Sequence, residues 1–180
     1  RCQRGVWRVR TVGACVSGHA PVPCGPPRVV SFFTAMLDQA QWARARSVAA
    51  GRTSFGTPPR VLFVGRLTRS KNVDTLLRAA AQIGARGIEI DVRIVGDGPD
   101  RARLNDLRGE LGLPGRVRFD GALPFERVLD AYAESDILVL ASETEGWPKA
   151  IAEGMAFGLL CVGSDRGGAA RLLADGRGIV

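Results

Sequence analysis

The chain has 180 residues, 46% of them hydrophobic, a length and apolar content that fit one domain with a real core and exclude a wholly disordered chain. Its net charge of +7 is unevenly spread: residues 1–60 carry nine Arg against one acid, Asp38, and residues 61–180 carry sixteen Lys or Arg against seventeen acids. The regular part is thus nearly neutral, which argues against a nucleic-acid partner and leaves a basic tail able to touch an acidic membrane.

Residues 1–30 show no sustained period, and Pro21, Pro23, Pro26 and Pro27 predict an irregular basic leader. Phe33, Met36, Leu37 and Ala40 fall at helical spacing after Ser31, predicting a helix over 31–48 with Ser31 as N-cap. A Gly/Pro/Thr/Ser stretch, 51–59, then reads as a linker, so the expected organisation is a leader over 1–57 and a domain over 58–180. From residue 60 the pattern is regular. Short apolar strands are predicted at 61–64, 88–95, 117–119, 137–140 and 160–162, with a sixth starting at 178. Helices are predicted between them at 73–83, 101–111, 125–134, 149–157 and 167–173, with Leu and Val stripes at helical spacing.

Strand and helix alternate with short connections, the signature of an α/β fold with an open, parallel, Rossmann-like sheet and helices on both faces. In such sheets ligands bind outside the carboxyl ends of the strands. The loops at 65–71, 96–100, 120–124, 142–148 and 164–168 all leave that edge and are expected to line one site. No apolar run approaches the roughly 20 residues that span a bilayer. Residue 1 is Arg without a charged-then-apolar leader, so no signal peptide is expected and the sequence reads as part of a longer protein. Cys2, Cys15, Cys24 and Cys161 form no CxxC pair and His19 is the only histidine, so reduced cytosolic thiols are expected and no zinc site.

The loop and helix over 142–158 concentrate the chemistry. Glu145 precedes the helix and Glu153 lies eight positions on, while Pro148 suits a first helical position because it has no N–H to leave unpaired. The helix start attracts anions through its dipole and free amides, that of Lys149 among them. Read without function, Glu145 is a carboxylate favoured by the dipole and Glu153 a partner for Lys149 at i, i+4. Gly154 weakens the helix by about 1 kcal/mol relative to Ala, which implies close approach to the sheet or a ligand. Trp147 reads equally as a pocket wall or a core anchor.

Taken together, Val64-Gly-Arg-Leu67 with Lys71-Asn72, Val95-Gly-Asp-Gly-Pro99, Val117-Arg-Phe-Asp-Gly121, Glu145-Gly-Trp-Pro-Lys149 with Glu153, and Gly167-Gly168 resemble the donor-binding half of GT-B retaining glycosyltransferases. The resemblance covers residues 58–180. It implies a partial GT-B half-domain whose sheet ends before its closing helices. It also implies transfer of a sugar from a nucleotide-diphosphate donor to a glycan or lipid-linked acceptor, with no metal or other cofactor. It places Arg66 and Lys71 on the diphosphate, Glu145 toward the donor sugar and Glu153 on the ribose. Gly96, Gly98 and Gly121 border the base, and Gly65, Gly146, Trp147 and Lys149 complete the donor site. A separate N-terminal acceptor domain, a cytoplasmic location and peripheral contact with the inner membrane face are further implications. The family's Pro-Glu after the glycine pair is replaced by Ala169-Ala170-Arg171, which sets a cation near the start of that helix.

Three other readings stay open at this point. One is a nucleotide-sugar-binding module without turnover. Another is a nicotinamide-cofactor enzyme, since Gly96-Asp-Gly-Pro follows a strand and Asp120 lies at the end of the next one, although Arg101 holds the third glycine position. The last is a glycosidase using Glu145 and Glu153, for which the sequence supplies no carbohydrate cleft.

Overall fold

A computed structural model describes residues 37–180. The expected leader, the Ser31 cap, Phe33, Met36, His19 and the cysteines at 2, 15 and 24 lie outside those residues. Five strands, β1 (Arg60–Val64), β2 (Asp91–Val95), β3 (Val117–Gly121), β4 (Ile137–Leu140) and β5 (Leu160–Gly163), form one parallel sheet in the order β3-β2-β1-β4-β5. Their apolar runs are needed because both faces are covered: Leu62, Phe63, Ile94, Leu138 and Cys161 are each fully or almost fully buried.

The helices α1 (Gln39–Ala50), α2 (Val73–Ala85), α3 (Arg101–Glu110), α4 (Phe125–Glu134), α5 (Lys149–Ala156) and α6 (Gly167–Leu173) follow the predicted order. From β1 the chain steps outward to β2 and β3, then returns across β1 to β4 and β5. Right-handed crossovers therefore put α2 and α3 on one face and α4 to α6 on the other. The crevice between β1 and β4, where the direction reverses, is the switch point at which such sheets bind ligands.

Several boundaries differ from expectation. Helix α1 starts at Gln39, capped by Asp38, whose carboxylate accepts the Gln41 N–H at 2.8 Å while the Gln41 side chain accepts the Asp38 N–H at 3.0 Å. This reciprocal capping box satisfies two orphan donors. Strand β2 begins at Asp91 rather than Ile88, because its partner β1 begins at Arg60 and leaves nothing upstream to pair with. Ile88 is accordingly exposed. The sixth strand reduces to a single bridge between Val162 and Ile179. Pro148 sits just outside α5 and accepts from Ile151 and Ala152 through its carbonyl.

The boundary at residue 57 does not separate α1 from the sheet. Ala45 is fully buried, Gln41 donates to Glu126 at 2.6 Å and Arg44 pairs with Asp130 at 2.6 Å. Arg52, within the predicted linker, donates to Phe157 O at the end of α5 and to Tyr132 O and Ala133 O at the end of α4. It also lies 3.8 Å from Asp136. One guanidinium thus ties together the ends of two helices, where the Phe157 and Ala133 carbonyls have no other partner among the described residues and the Tyr132 carbonyl also accepts the Ser135 N–H at 3.3 Å. Arg52→Ala should lower unfolding free energy by about 2–3 kcal/mol, because it strands buried acceptors. Arg52→Lys should recover less than half of that, since an ammonium lacks the planar fork. Urea unfolding followed by circular dichroism checks both.

Candidate functional site

The ladder between β1 and β4 holds only at Val61 with Ile137 and Leu62 with Leu138, although the strands run on to Val64 and Leu140. Beyond those pairs the two strands are not laddered, at the point where their loops leave for opposite faces. Beyond β1 the chain makes a 3-10 turn, Arg69–Lys71, and enters α2 through Asn72 at φ 48°. Three contacts then join this loop to the one after β4. Asn72 Nδ2 donates to Ala141 O at 3.1 Å, the Glu143 N–H donates to Ser70 O at 2.8 Å, and Lys71 Nζ pairs with Glu145 Oε1. The last pair is only partly shielded, the side chains being 24% and 14% exposed. Two residues 74 apart in sequence and expected in one site are thereby in direct contact.

Gly65, Gly96, Gly98 and Gly121 share the neighbouring stretch of the same edge. The Gly96 N–H donates to Gly121 O at 2.8 Å, and the Leu67 N–H to Asp97 O at 2.9 Å. Gly96 has φ 133°, and a Cβ there would lie 1.9 Å from Gly65 O, so backbone packing alone requires glycine. Asp100 anchors this corner by accepting from Arg103 and pairing with Arg69 at 3.2 Å. The hydrogen bond from Arg103 holds its carboxyl below the usual aspartate range. Arg66 projects from the corner, exposed and without an ion-pair partner among the described residues.

The Glu145 loop rests on α6. The Gly168 N–H donates to Glu145 O at 2.7 Å, and a Cβ on Gly168 would stand 2.4 Å from Gly146 O. The glycine pair is therefore a seat for the acidic loop, a role that its match to a motif did not reveal. Gly146 is exposed and Trp147 half-buried beside it. Two expectations need correction here. The Lys149 N–H is taken by Trp147 O at 3.0 Å, so that amide is not open to an anion. Arg171 lies in the last turn of α6, where the dipole favours a cation, and does not oppose it.

Glu153 lies on the buried side of α5, 8% exposed, and its Oε2 accepts from the Tyr132 hydroxyl at 2.9 Å. Burial raises its pKa above the ordinary glutamate value, against the lowering effects of that hydrogen bond and of the Lys149 charge. Lys149 acts on it only through space, without the i, i+4 ion pair. Gly154 lets α5 lie against β4, where a Cβ would meet Leu138 Cδ2 at 2.7 Å, so the close approach is to the sheet. Tyr132 was legible only as a core residue of α4. The overlooked signal is that a buried tyrosine hydroxyl requires a polar partner.

Asp120 is occupied by Arg93 and Arg118, which removes the carboxylate that a dinucleotide site would aim at a ribose. Among the described residues no group of His, Cys, Asp or Glu is arranged to hold a metal ion. A cleft of about 490 Å³ lies at the opposite edge, beside the amino ends of β1 to β3, and is lined by Arg60, Arg93, Arg108, Arg116 and Arg118. Four of these five are paired with Asp136, Asp120, Glu134 or Glu89. The cleft is internally neutralised and does not read as an anion site. The candidate site is the open carboxyl edge.

Residues 49–180 match the family described as Glycosyl transferases group 1. The chain is 38% identical over 154 residues to a GDP-mannose-dependent alpha-mannosyltransferase of Mycobacterium tuberculosis, covering 85% of this chain and 38% of that one. It is 38% identical over 141 residues to D-inositol 3-phosphate glycosyltransferase 2 of Catenulispora acidiphila, covering 71% and 33%. Among solved structures, Anabaena HepE in complex with UDP-glucose superposes with a TM-score of 0.60 at 25% identity, covering 79% of this chain and 39% of that one. The apo lipopolysaccharide outer core galactosyltransferase WaaB gives 0.54 at 30% identity, covering 61% and 31%. The chain spans about a third of the length of these relatives.

The buried carboxylate generates a stability prediction. Because the folded pKa of Glu153 is raised, its ionised form disfavours the folded state at neutral pH. Glu153→Gln, which can still accept from Tyr132, should therefore leave stability unchanged or raise it by up to about 1 kcal/mol at pH 7. The advantage should fade as the pH falls from neutrality through the raised pKa of the folded carboxyl and be gone by about pH 4, where the carboxyl is protonated in the folded and the unfolded chain alike. Urea unfolding across pH measures it, and a loss of stability at pH 7 would make the carboxylate a structural element.

Proposed function

Because the chain belongs to the glycosyl transferases group 1 family, we propose that its described residues form the donor-binding half of an enzyme that moves a sugar, with retention, from a nucleotide-diphosphate donor to a glycan or lipid-linked acceptor. The observation that carries the reading is the Lys71–Glu145 pair set across the ends of β1 and β4. Departure of the diphosphate develops negative charge on its oxygens and positive charge on the anomeric carbon. Cations fixed beside the first and a carboxylate near the second lower the barrier without reorganising.

Arg66 and Lys71 are the cations in this scheme. A donor diphosphate competes with Glu145 for Lys71, and binding thereby frees Glu145 to face the sugar. Glu153, buried at the back of the same loop and helix, accepts the ribose hydroxyls. Gly96, Gly98 and Gly121 form the smooth backbone edge against the base. The two cations supply the charge that a metal supplies elsewhere, so the reaction is proposed to be metal-independent. The acceptor half belongs to the two-thirds of the relatives' length that this chain does not span. A lipid-linked acceptor would bring the enzyme to the cytoplasmic membrane face, and no helix among the described residues is long and apolar enough to cross a membrane. The partial coverage also favours a second reading, in which this chain alone binds the nucleotide sugar without turnover.

Isothermal titration calorimetry on this chain tests the site. UDP or GDP should bind and NAD should not, and EDTA should leave the affinity unchanged. Arg66→Ala and Lys71→Ala should each weaken binding by roughly 10- to 100-fold, the loss of a charge-assisted contact to phosphate. Tight NAD binding with no response to either diphosphate would contradict the proposal, and loss of binding in EDTA would contradict metal independence.

A further inference from the structure

Tyr132 is the only tyrosine of the chain, and it is fully buried in the last turn of α4. Its ring stacks on Phe157 at 5.7 Å, and its hydroxyl donates to Glu153 Oε2 at 2.9 Å. The other carboxylate oxygen, Oε1, accepts no hydrogen bond among the described residues. Arg52 ties the ends of α4 and α5 together, so the two helices that carry this pair are held at a fixed separation. We propose that Tyr132 is a positioning residue for the donor: its hydroxyl holds one oxygen of Glu153 so that the second is presented to the ribose of the nucleotide. The inference rests on the ribose role given to Glu153 above.

Two physical facts support it. A lone buried carboxylate has rotamer freedom that a ligand must freeze, and a hydrogen bond made beforehand removes that loss. The tyrosine also serves only as a donor, because burial and the adjacent carboxylate raise its pKa well above the ordinary value. The titratable groups facing Glu153 are Tyr132 from α4, Lys149 from α5 itself and, behind the tyrosine, Cys161 from β5, whose thiol burial pushes up to about 12. Of these groups only Glu153 changes charge on acidification from neutral pH. Removing the tyrosine hydroxyl removes a bond to the ionised form and raises the Glu153 pKa further. Binding that needs the carboxylate is then lost at a higher pH as the solution is acidified.

The test is calorimetry of UDP and GDP binding to the 180-residue chain across pH, for the native sequence, Tyr132→Phe and Glu153→Gln. Tyr132→Phe keeps the ring on Phe157 and should bind about tenfold more weakly at neutral pH, with its acid limb moved upward. Glu153→Gln should weaken binding and lose that limb. If Glu153→Gln weakens binding while Tyr132→Phe keeps native affinity and the native pH profile, the positioning role is overturned and the ribose role survives. If Glu153→Gln binds as the native chain does, the ribose role fails and the proposal with it. A second readout does not depend on the folding of Tyr132→Phe. With the single tyrosine replaced by 3-fluorotyrosine, its ¹⁹F resonance should move on nucleotide addition, and this response should vanish in Glu153→Gln. A resonance unmoved by saturating nucleotide would overturn the proposal.

Discussion

After two residue pairs β1 and β4 stop pairing, and Lys71 and Glu145 are placed by the loops that leave the two strands there. The sheet order makes this the point where the chain reverses its direction of travel. Helices depart to opposite faces from the two strands, and their loops diverge above the crevice. Past the strand ends the two loops are tied together by Asn72 on Ala141 O and by the Glu143 N–H on Ser70 O. Lys71 and Glu145 are carried to each other by those same two loops. Their ion pair is therefore a consequence of strand order first and of charge second.

The surrounding structure fixes these loops from behind. Gly96 lets the β2 loop press on Gly65, Asp100 holds Arg69, and Gly168 seats the acidic loop on α6. The substitution of any of these would be felt as a displaced cation or carboxylate. Glu153 is the contrasting case, a carboxylate kept nearly dry with one neutral donor and no direct counter-ion. Such a group disfavours folding at neutral pH, and a buried carboxylate with that cost is a candidate for binding rather than for stability.

The strand and helix order over residues 60–173 was legible because β1, β4 and β5 are apolar runs, β2 and β3 alternate apolar with polar residues, and α2 and α4 carry clear 3.6-residue stripes. The common edge of the loops followed from the parallel sheet. Less legible were features set by contacts between distant segments. Asp38 rather than Ser31 caps α1 because its own carboxylate and Gln41 close the capping box. Ile88 reads as strand by composition and is loop because β1 offers it no partner. The linker reading of 51–59 hid Arg52, whose polar stretch carries the clasp on α4 and α5. Of the candidate site, the sequence order of motifs identified Lys71 and Glu145, and only coordinates show them touching. The partner of Glu153 was unreadable because α4 and α5 are brought side by side on one face of the sheet only by the strand order.

In the proposed enzyme a nucleotide diphosphate lies across the ends of β1 and β4. The most direct measurement is a crystal structure of this chain with UDP or GDP bound. Diphosphate density is expected beside Arg66 and Lys71, with Glu145 released from Lys71 and the ribose on Glu153. Diphosphate lodged in the arginine-lined cleft at the amino ends of β1 to β3, with the Lys71–Glu145 pair intact, would contradict it.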